Sequence, residues 1–220
     1  NVKASLNKRS NVLQELMAQN ATNGAGLLML AVLTGKVHML AYLATEMKAR
    51  LGTTILAKQL RYEDDTERPL MFYAAASSLA MFRAAKKLVR DTIGRAGLTE
   101  QLRHRCARNM NLLMKASSDA EIFAEVWALA ERARCLEELK EQRDFEGRNW
   151  ILHAAEAGNL AVFKQLDGGP RVMYNLFSAV DSKGWSGFMY AARGKGDHNV
   201  DFLTMLCGMC FPDEKDPLLS

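Results

Sequence analysis

The sequence predicts an all-α solenoid of stacked helix–turn–helix units, about five of them plus a partial unit at the N-terminus. Three observations carry that prediction. A short apolar stretch runs into a small residue at Ala31, Ala74, Ala116, Ala154 and Ala191, spaced by 43, 42, 38 and 37 residues. Each is followed by a helix-like segment whose apolar residues recur at three- and four-residue intervals. Only four prolines occur in 220 residues, and no low-complexity stretch interrupts them, which argues against long disordered linkers. Recurrence at a period of about 20–50 residues marks an array whose units bury their apolar faces only by stacking on one another.

Taken in chain order, Asn1–Asn20 carries Val12, Leu13, Leu16 and Met17, the pattern of a helix (1–19) from a truncated preceding unit. Asn1 in place of a starting Met points to processing or an artificial boundary. Five units follow over 20–206, starting near 20, 64, 106, 144 and 181, with 207–220 left as a tail. The first keeps a turn at Asn23-Gly24 and a helix stop at Gly35. Lys36–Leu51 reads as one helix ending at Gly52. The second has Asp64 and Pro69 but no turn glycine, so its register is open by one residue. The third retains only the apolar run from Met110 and the small pair Ala116-Ser117. Glu121–Arg143 reads as a single long helix with a buried stripe of Ile122, Val126, Leu129, Ala133, Leu136 and Leu139.

The last two copies are the clearest. Asp144 precedes Gly147 by three residues, and Asp181 precedes Gly184 by the same interval. Such a pair suits a tight turn, because the carboxylate accepts local N–H groups and glycine allows positive φ. Ala154-Ala155 and Ala191-Ala192 are small enough for close helix approach. Gly158 sits where glycine usually terminates a helix, and Leu160, Phe163 and Leu166 form the stripe of the next one.

Across 144–206 this pattern resembles the ankyrin repeat, Asp-x-x-Gly-x-Thr-Pro-Leu-His-x-Ala-Ala-x-x-Gly, with weaker resemblance in 20–43, 64–88 and 108–127. No copy has the full Thr-Pro-Leu-His tetrapeptide, and His153 lies one position beyond the family's histidine. The array is therefore divergent and expected to be less stable than consensus repeats. The resemblance implies a non-enzymatic protein–protein interaction module, an adaptor or scaffold subunit, that meets its partner through hairpin tips and the inner-helix face. By motif position the recognition residues are Arg68, Phe145, Glu146, Arg148, Glu156, Lys183, Trp185 and Arg193. Trp and Arg are enriched at binding hot spots. Trp185 and Phe145 each either face the partner or fold back on a neighbouring hairpin.

Composition bounds the alternatives. The longest strongly apolar run, Leu27–Leu33, is seven residues, far short of the roughly 20 needed to span a bilayer. Four cysteines are too few for a disulfide framework in so long a chain, which favours an intracellular setting in cytoplasm, nucleus or organelle matrix. Cys207-Gly-Met-Cys210 has the spacing of a redox pair or half a zinc site, but zinc needs two more ligands, and His198 alone is nearby. Structural thiols are the simpler reading, so neither a metal nor a cofactor is expected. The histidines form no constellation with a Ser, Cys or Asp, and no catalytic residue is assigned. Gly194-Lys195-Gly196 lacks the spacing of a phosphate loop. The twelve methionines fall mostly on apolar positions, as core fillers.

Net charge is +4, unevenly spread. Between Arg83 and Arg108 eight basic residues oppose Asp91 and Glu100, whereas Asp119–Glu146 holds nine acidic residues against four basic ones. These are solvated outer helices, or 83–108 is a patch for an acidic partner. Nucleic acid is the least favoured occupant, since the segment has no aromatic residue for base stacking. A regulatory or accessory part of an enzyme complex is the competing class of function.

Overall fold

The computed structural model describes residues 22–164, 178–193, 200 and 204. The architecture is all-α. Among the described residues the extended pairing consists of two isolated antiparallel bridges, Glu63 with Pro69 and Val180 with Ser186. No helix there is long and apolar enough to cross a membrane. The chain divides into two compact units, Asn1–Arg108 and Asn109–Ser220.

The first unit contains α1 (Leu27–Leu33), α2 (Val37–Leu51), α3 (Thr53–Arg61), α4 (Leu70–Ala75) and α5 (Leu79–Arg103). Helices as short as α1 and α4 have no independent stability in water, so burial must hold them. All six residues of α4 are buried, and α4 packs on α1 and α5. α2 and α3 pack on each other and both meet α5, enclosing Leu40, Met47, Leu56, Leu60, Phe82, Val89 and Leu102.

Gly52 ends α2 as the sequence predicts, but the chain resumes at once as α3, an element that the sequence reading lacks. The backbone at Gly52 has φ 88° and ψ 164°, a combination open essentially to glycine alone. Forty-two residues on, Gly94 interrupts α5 with φ 75° and ψ −175°. α2 and α3 are 15 and 9 residues long, and the arms of α5, 79–93 and 95–103, have the same two lengths. The second arms share sequence as well. Leu56, Gln59, Leu60 and Arg61 recur as Leu98, Gln101, Leu102 and Arg103, with the leucines buried in both. An extra short helix therefore fills the long spacing in this unit, and it is built twice.

The second unit contains α6 (Leu112–Ala116), α7 (Ala120–Arg132), α8 (Leu136–Glu141), α9 (Trp150–Glu156), α10 (Leu160–Lys164) and α11 (Gly187–Arg193). α9 packs on α6, α10 and α11, and α7 packs on α6, α8 and α10. Asparagine caps two of the short helices: Asn111 Oδ1 accepts from Met114 N at 2.8 Å, and Asn149 Oδ1 from Leu152 N at 3.1 Å.

The expected single helix Glu121–Arg143 is two helices. Arg134 takes φ 54°, Arg134 N donates to Glu131 O at 3.0 Å, and Cys135 N donates to Ala130 O at 2.9 Å. This is the Schellman pattern that closes a helix, here without a glycine. Ile122, Val126, Leu136 and Leu139 are buried as the stripe predicts, whereas Leu129 and Ala133, beside the break, are half-exposed. Gly158 does end α9 by the same pair of bonds, Gly158 N to Ala155 O and Asn159 N to Ala154 O, both at 3.0 Å. Leu166 lies outside the described residues.

Ala31, Ala74, Ala116, Ala154 and Ala191 are all buried, none more than 3% exposed. Seven residues before each stands a residue with positive φ: Gly24, Glu67, Asn109, Gly147 and Gly184. That places the second copy's turn at Asp64–Glu67 and settles its register.

Candidate functional site

The turns before α4, α9 and α11 are built alike. Asp64 Oδ1 accepts from Thr66 N and Arg68 N, both at 2.9 Å. Asp144 Oδ1 accepts from Glu146 N and Arg148 N at 3.0 and 2.8 Å, and Asp181 Oδ1 from Lys183 N and Trp185 N at 2.8 and 2.7 Å. The second carboxylate oxygen reaches a ring nine residues downstream. Tyr73 Oη donates to Asp64 Oδ2 at 2.6 Å, Tyr190 Oη to Asp181 Oδ2 at 2.8 Å, and His153 Nε2 meets Asp144 Oδ2 at 3.0 Å. Each bond rivets a turn to the helix that follows it.

These contacts set the local electrostatics. Burial alone raises a carboxyl pKa, but the bonds from Tyr73, Arg68 and Thr66 outweigh it and hold Asp64 at about 2. Asp144 is likewise held at about 2, burial being overcome by His153 and Arg148. Asp181 is lowered too: the Trp185 and Lys183 N–H groups and the Tyr190 hydroxyl overcome its desolvation. Burial and the Asp64 bond push the Tyr73 hydroxyl up to about 12, and Tyr190 rises for the same reasons through Asp181. The carboxylates are thus held as anions by their internal donors.

Successive turns are laced together by one recurring bond. Asp65 N donates to Asn23 O at 3.1 Å, and Ala107 N to Thr66 O at 2.9 Å. In the second unit Ser182 N donates to Glu146 O at 2.9 Å. The acceptor always precedes the positive-φ residue. A side chain at Gly147 would place its Cβ 2.6 Å from Ser182 N, so glycine is required by the approach of the next turn. Tyr62 Oη donates to Gly24 O at 2.8 Å, and 42 residues on His104 Nε2 bonds Glu67 O at 2.6 Å.

The residues expected on the recognition face fall into two groups. Arg68 and Arg148 each pair with the aspartate of their own turn. Arg68 Nε donates to Asp64 Oδ2 at 2.9 Å, with its guanidinium 5.1 Å from the Tyr73 ring centre. Arg148, its side chain only 12% exposed, binds Asp144 at 2.9 Å and Glu156 at 3.1 Å, so Glu156 is committed as well. Phe145, Glu146, Lys183, Trp185 and Arg193 are exposed. Phe145 is 74% exposed and does not fold back. Trp185 is 37% exposed, tilted against Tyr190 at 5.7 Å and covered on one side by the Arg193 guanidinium at 5.6 Å. Val180 and Met189 add exposed apolar surface beside it. Arg143 Nη1 joins the two turns, donating to Gly147 O at 2.8 Å and to Val180 O at 2.9 Å.

Sequence reasoning missed Tyr73, His153 and Tyr190 as rivets. The signal was present, an aspartate nine residues before a ring with a hydrogen-bonding atom, at 64/73, 144/153 and 181/190. Cys106 and Cys135 are buried and are not joined in disulfides. Cys207, Cys210, His198 and 194–196 lie outside the described residues. Among the described residues no cluster of three or more His, Cys, Asp or Glu is arranged to hold a metal. No protein-family model matches this chain, and no curated protein matches it either.

Proposed function

We propose that this chain is a non-enzymatic binding module built from divergent ankyrin-like repeats, and that it captures a protein partner on its row of turns. The observation that carries the reading is the recurring lace between turns, formed at equivalent positions within both units. A row held by backbone bonds presents its outward side chains in a fixed geometry, so little ordering entropy is lost on binding. The turn aspartates are consumed by internal partners, while Phe145, Lys183 and Trp185 are exposed on the turns and Arg193 at the end of α11. Large aromatic and basic side chains on a rigid support are the usual composition of a binding hot spot. Adaptor and permanent scaffold subunit are both uses of such a surface.

The test compares proteins retained by immobilised wild-type chain and by a Phe145→Ala/Lys183→Glu double variant, with helical content followed by circular dichroism. Both positions are exposed, so the fold stays intact. A partner retained by the wild type and lost by the variant supports the reading. Equal retention by both overturns the assignment of this face.

A further inference from the structure

Two helix positions set the last copy of the repeat apart from the others. Two residues before the repeat alanine stand Met29, Phe72, Met114 and Leu152, none more than 2% exposed, but in the last copy Met189 is 52% exposed. One residue after that alanine, Val32, Ala75, Ser117 and Ala155 are buried, whereas Ala192 is exposed. The two positions are three residues apart, so they share one stripe of the helix. α4 packs on α1 and α11 packs on α9, and no described copy follows α11. The stripe is therefore the face on which a following copy stacks.

The first copy shows the converse. The third residue of the outer helix is Met81 in α5, Ile122 in α7 and Val162 in α10, none more than 1% exposed, but Met39 of α2 is 36% exposed. Tyr42 continues that side of α2 one turn on and is exposed. Four residues before the repeat alanine, Leu70, Leu112 and Trp150 are buried, whereas Leu27 is half-exposed. α5 packs on α2 and α10 on α7, so these positions are the ones that meet a preceding copy.

We propose that the two faces dock between molecules: Met189 and Ala192 on α11 of one molecule receive Leu27, Met39 and Tyr42 of a second molecule of the same chain. The occupant follows from continuity with the stacking inside each unit, where the forward stripe of one copy meets the backward face of the next. The chain carries one open face of each kind, and a second molecule supplies the match for both. Both faces are apolar. Ala192 permits close approach, and the unbranched Met39 and Met189 adapt to an irregular surface. A contact between two different surfaces is heterologous, so it builds rings or open chains of molecules rather than a closed symmetric pair. It does not depend on capture of another protein by the turns.

Sedimentation velocity of the full chain from about 1 to about 200 μM tests this. The weight-average sedimentation coefficient of the wild type should rise with concentration. Met39→Lys and Met189→Lys, both at exposed helix positions, should each stay monomeric over that range with unchanged helical content. Ala192→Lys, on the same stripe as Met189, should behave as Met189→Lys does. Mixed in equal amounts, Met39→Lys and Met189→Lys should form a one-to-one complex and nothing larger, because each supplies the face that the other lacks. A wild type that is monomeric throughout overturns the proposal, since the faces are then left to another occupant. So does a Met39→Lys variant that still pairs with itself, which means that α11 docks on a second α11. A mixture that stays monomeric while the wild type associates overturns it too, because the association then uses other surfaces.

Discussion

The two compact units interrupt their outer helices in different ways. In the first, glycines at 52 and 94 stand between a 15-residue arm and a 9-residue arm. Both adopt a backbone that a side chain resists, with open space where a Cβ would stand. In the second unit the break between α7 and α8 falls on Arg134, a residue with a full side chain in the left-handed region. The glycine breaks use an extended positive-φ backbone, ψ 164° and −175°, whereas Arg134 closes its helix in a Schellman turn at φ 54°. The helix behind the glycine is a repeated part of the first unit, whereas the helix behind Arg134 has six residues.

The largest effect expected from this comparison tests whether those extra helices belong to the cooperative core. Leu60 of α3 and Leu139 of α8 are both fully buried. Truncating a buried leucine to alanine costs about 2–5 kcal/mol through lost transfer energy and the cavity left behind. Leu60→Ala and Leu139→Ala should each lower the free energy of urea unfolding by about 3 kcal/mol. A loss below about 1 kcal/mol for either would mean that its helix frays independently of the rest.

Acid should act on both units, through Asp64 in the first and through Asp144, joined by Asp181, in the second. Asp64 and Asp144 titrate at about 2 in the folded chain against 3.8 for a free side chain. The unfolded chain therefore takes up a proton first as pH falls. The stabilisation is full above about pH 5 and drains away as the pH drops through 4 towards 2. Each carboxylate contributes about 2 kcal/mol by that difference. Stability measured by urea unfolding from pH 6 to pH 2 should fall less steeply in Asp64→Asn and in Asp144→Asn than in the wild type. If Asp64→Asn flattens the acid limb and Asp144→Asn does not, the His153 contact is not equivalent to that of Tyr73.

Legibility in the sequence followed the range of the physics involved. Asp144, Asp181, Gly52 and Gly158 act on backbone atoms within a few residues of themselves, so their roles were readable in place. The burial of the five alanines was readable for the same reason that repeats are, because equivalent positions report on one another. Arg134 was opaque: nothing in Ala133-Arg134-Cys135 announces a helix stop, and the bonds that make one are backbone bonds from Arg134 N and Cys135 N that any residue type can form. The duplicated second arm lay open at Leu56-Ala-Lys-Gln-Leu-Arg61 and Leu98-Thr-Glu-Gln-Leu-Arg103, but a net-charge reading of 83–108 cut across it. Of the residues expected to meet a partner, Phe145 and Lys183 are exposed. Arg148 is held at 12% side-chain exposure by Asp144 and Glu156, and Arg68, though 39% exposed, also pairs with the aspartate four residues before it.

The finest test exchanges the two solutions. Gly94→Ala places a Cβ in open space, so nothing but the backbone is perturbed. A non-glycine residue in that region costs about 1–3 kcal/mol, and the first unit should lose about that much. Arg134→Gly removes strain instead. Left-handed backbone costs a side-chain-bearing residue about 1–2 kcal/mol, offset in part by the greater freedom of glycine in the unfolded chain. A net gain of about 0.5 kcal/mol is the expected outcome, read as a higher urea midpoint at unchanged slope. Should Arg134→Gly destabilise, the arginine side chain is anchoring the α7–α8 corner, and the second unit's interruption is as deliberate a construction as the glycine elbows of the first.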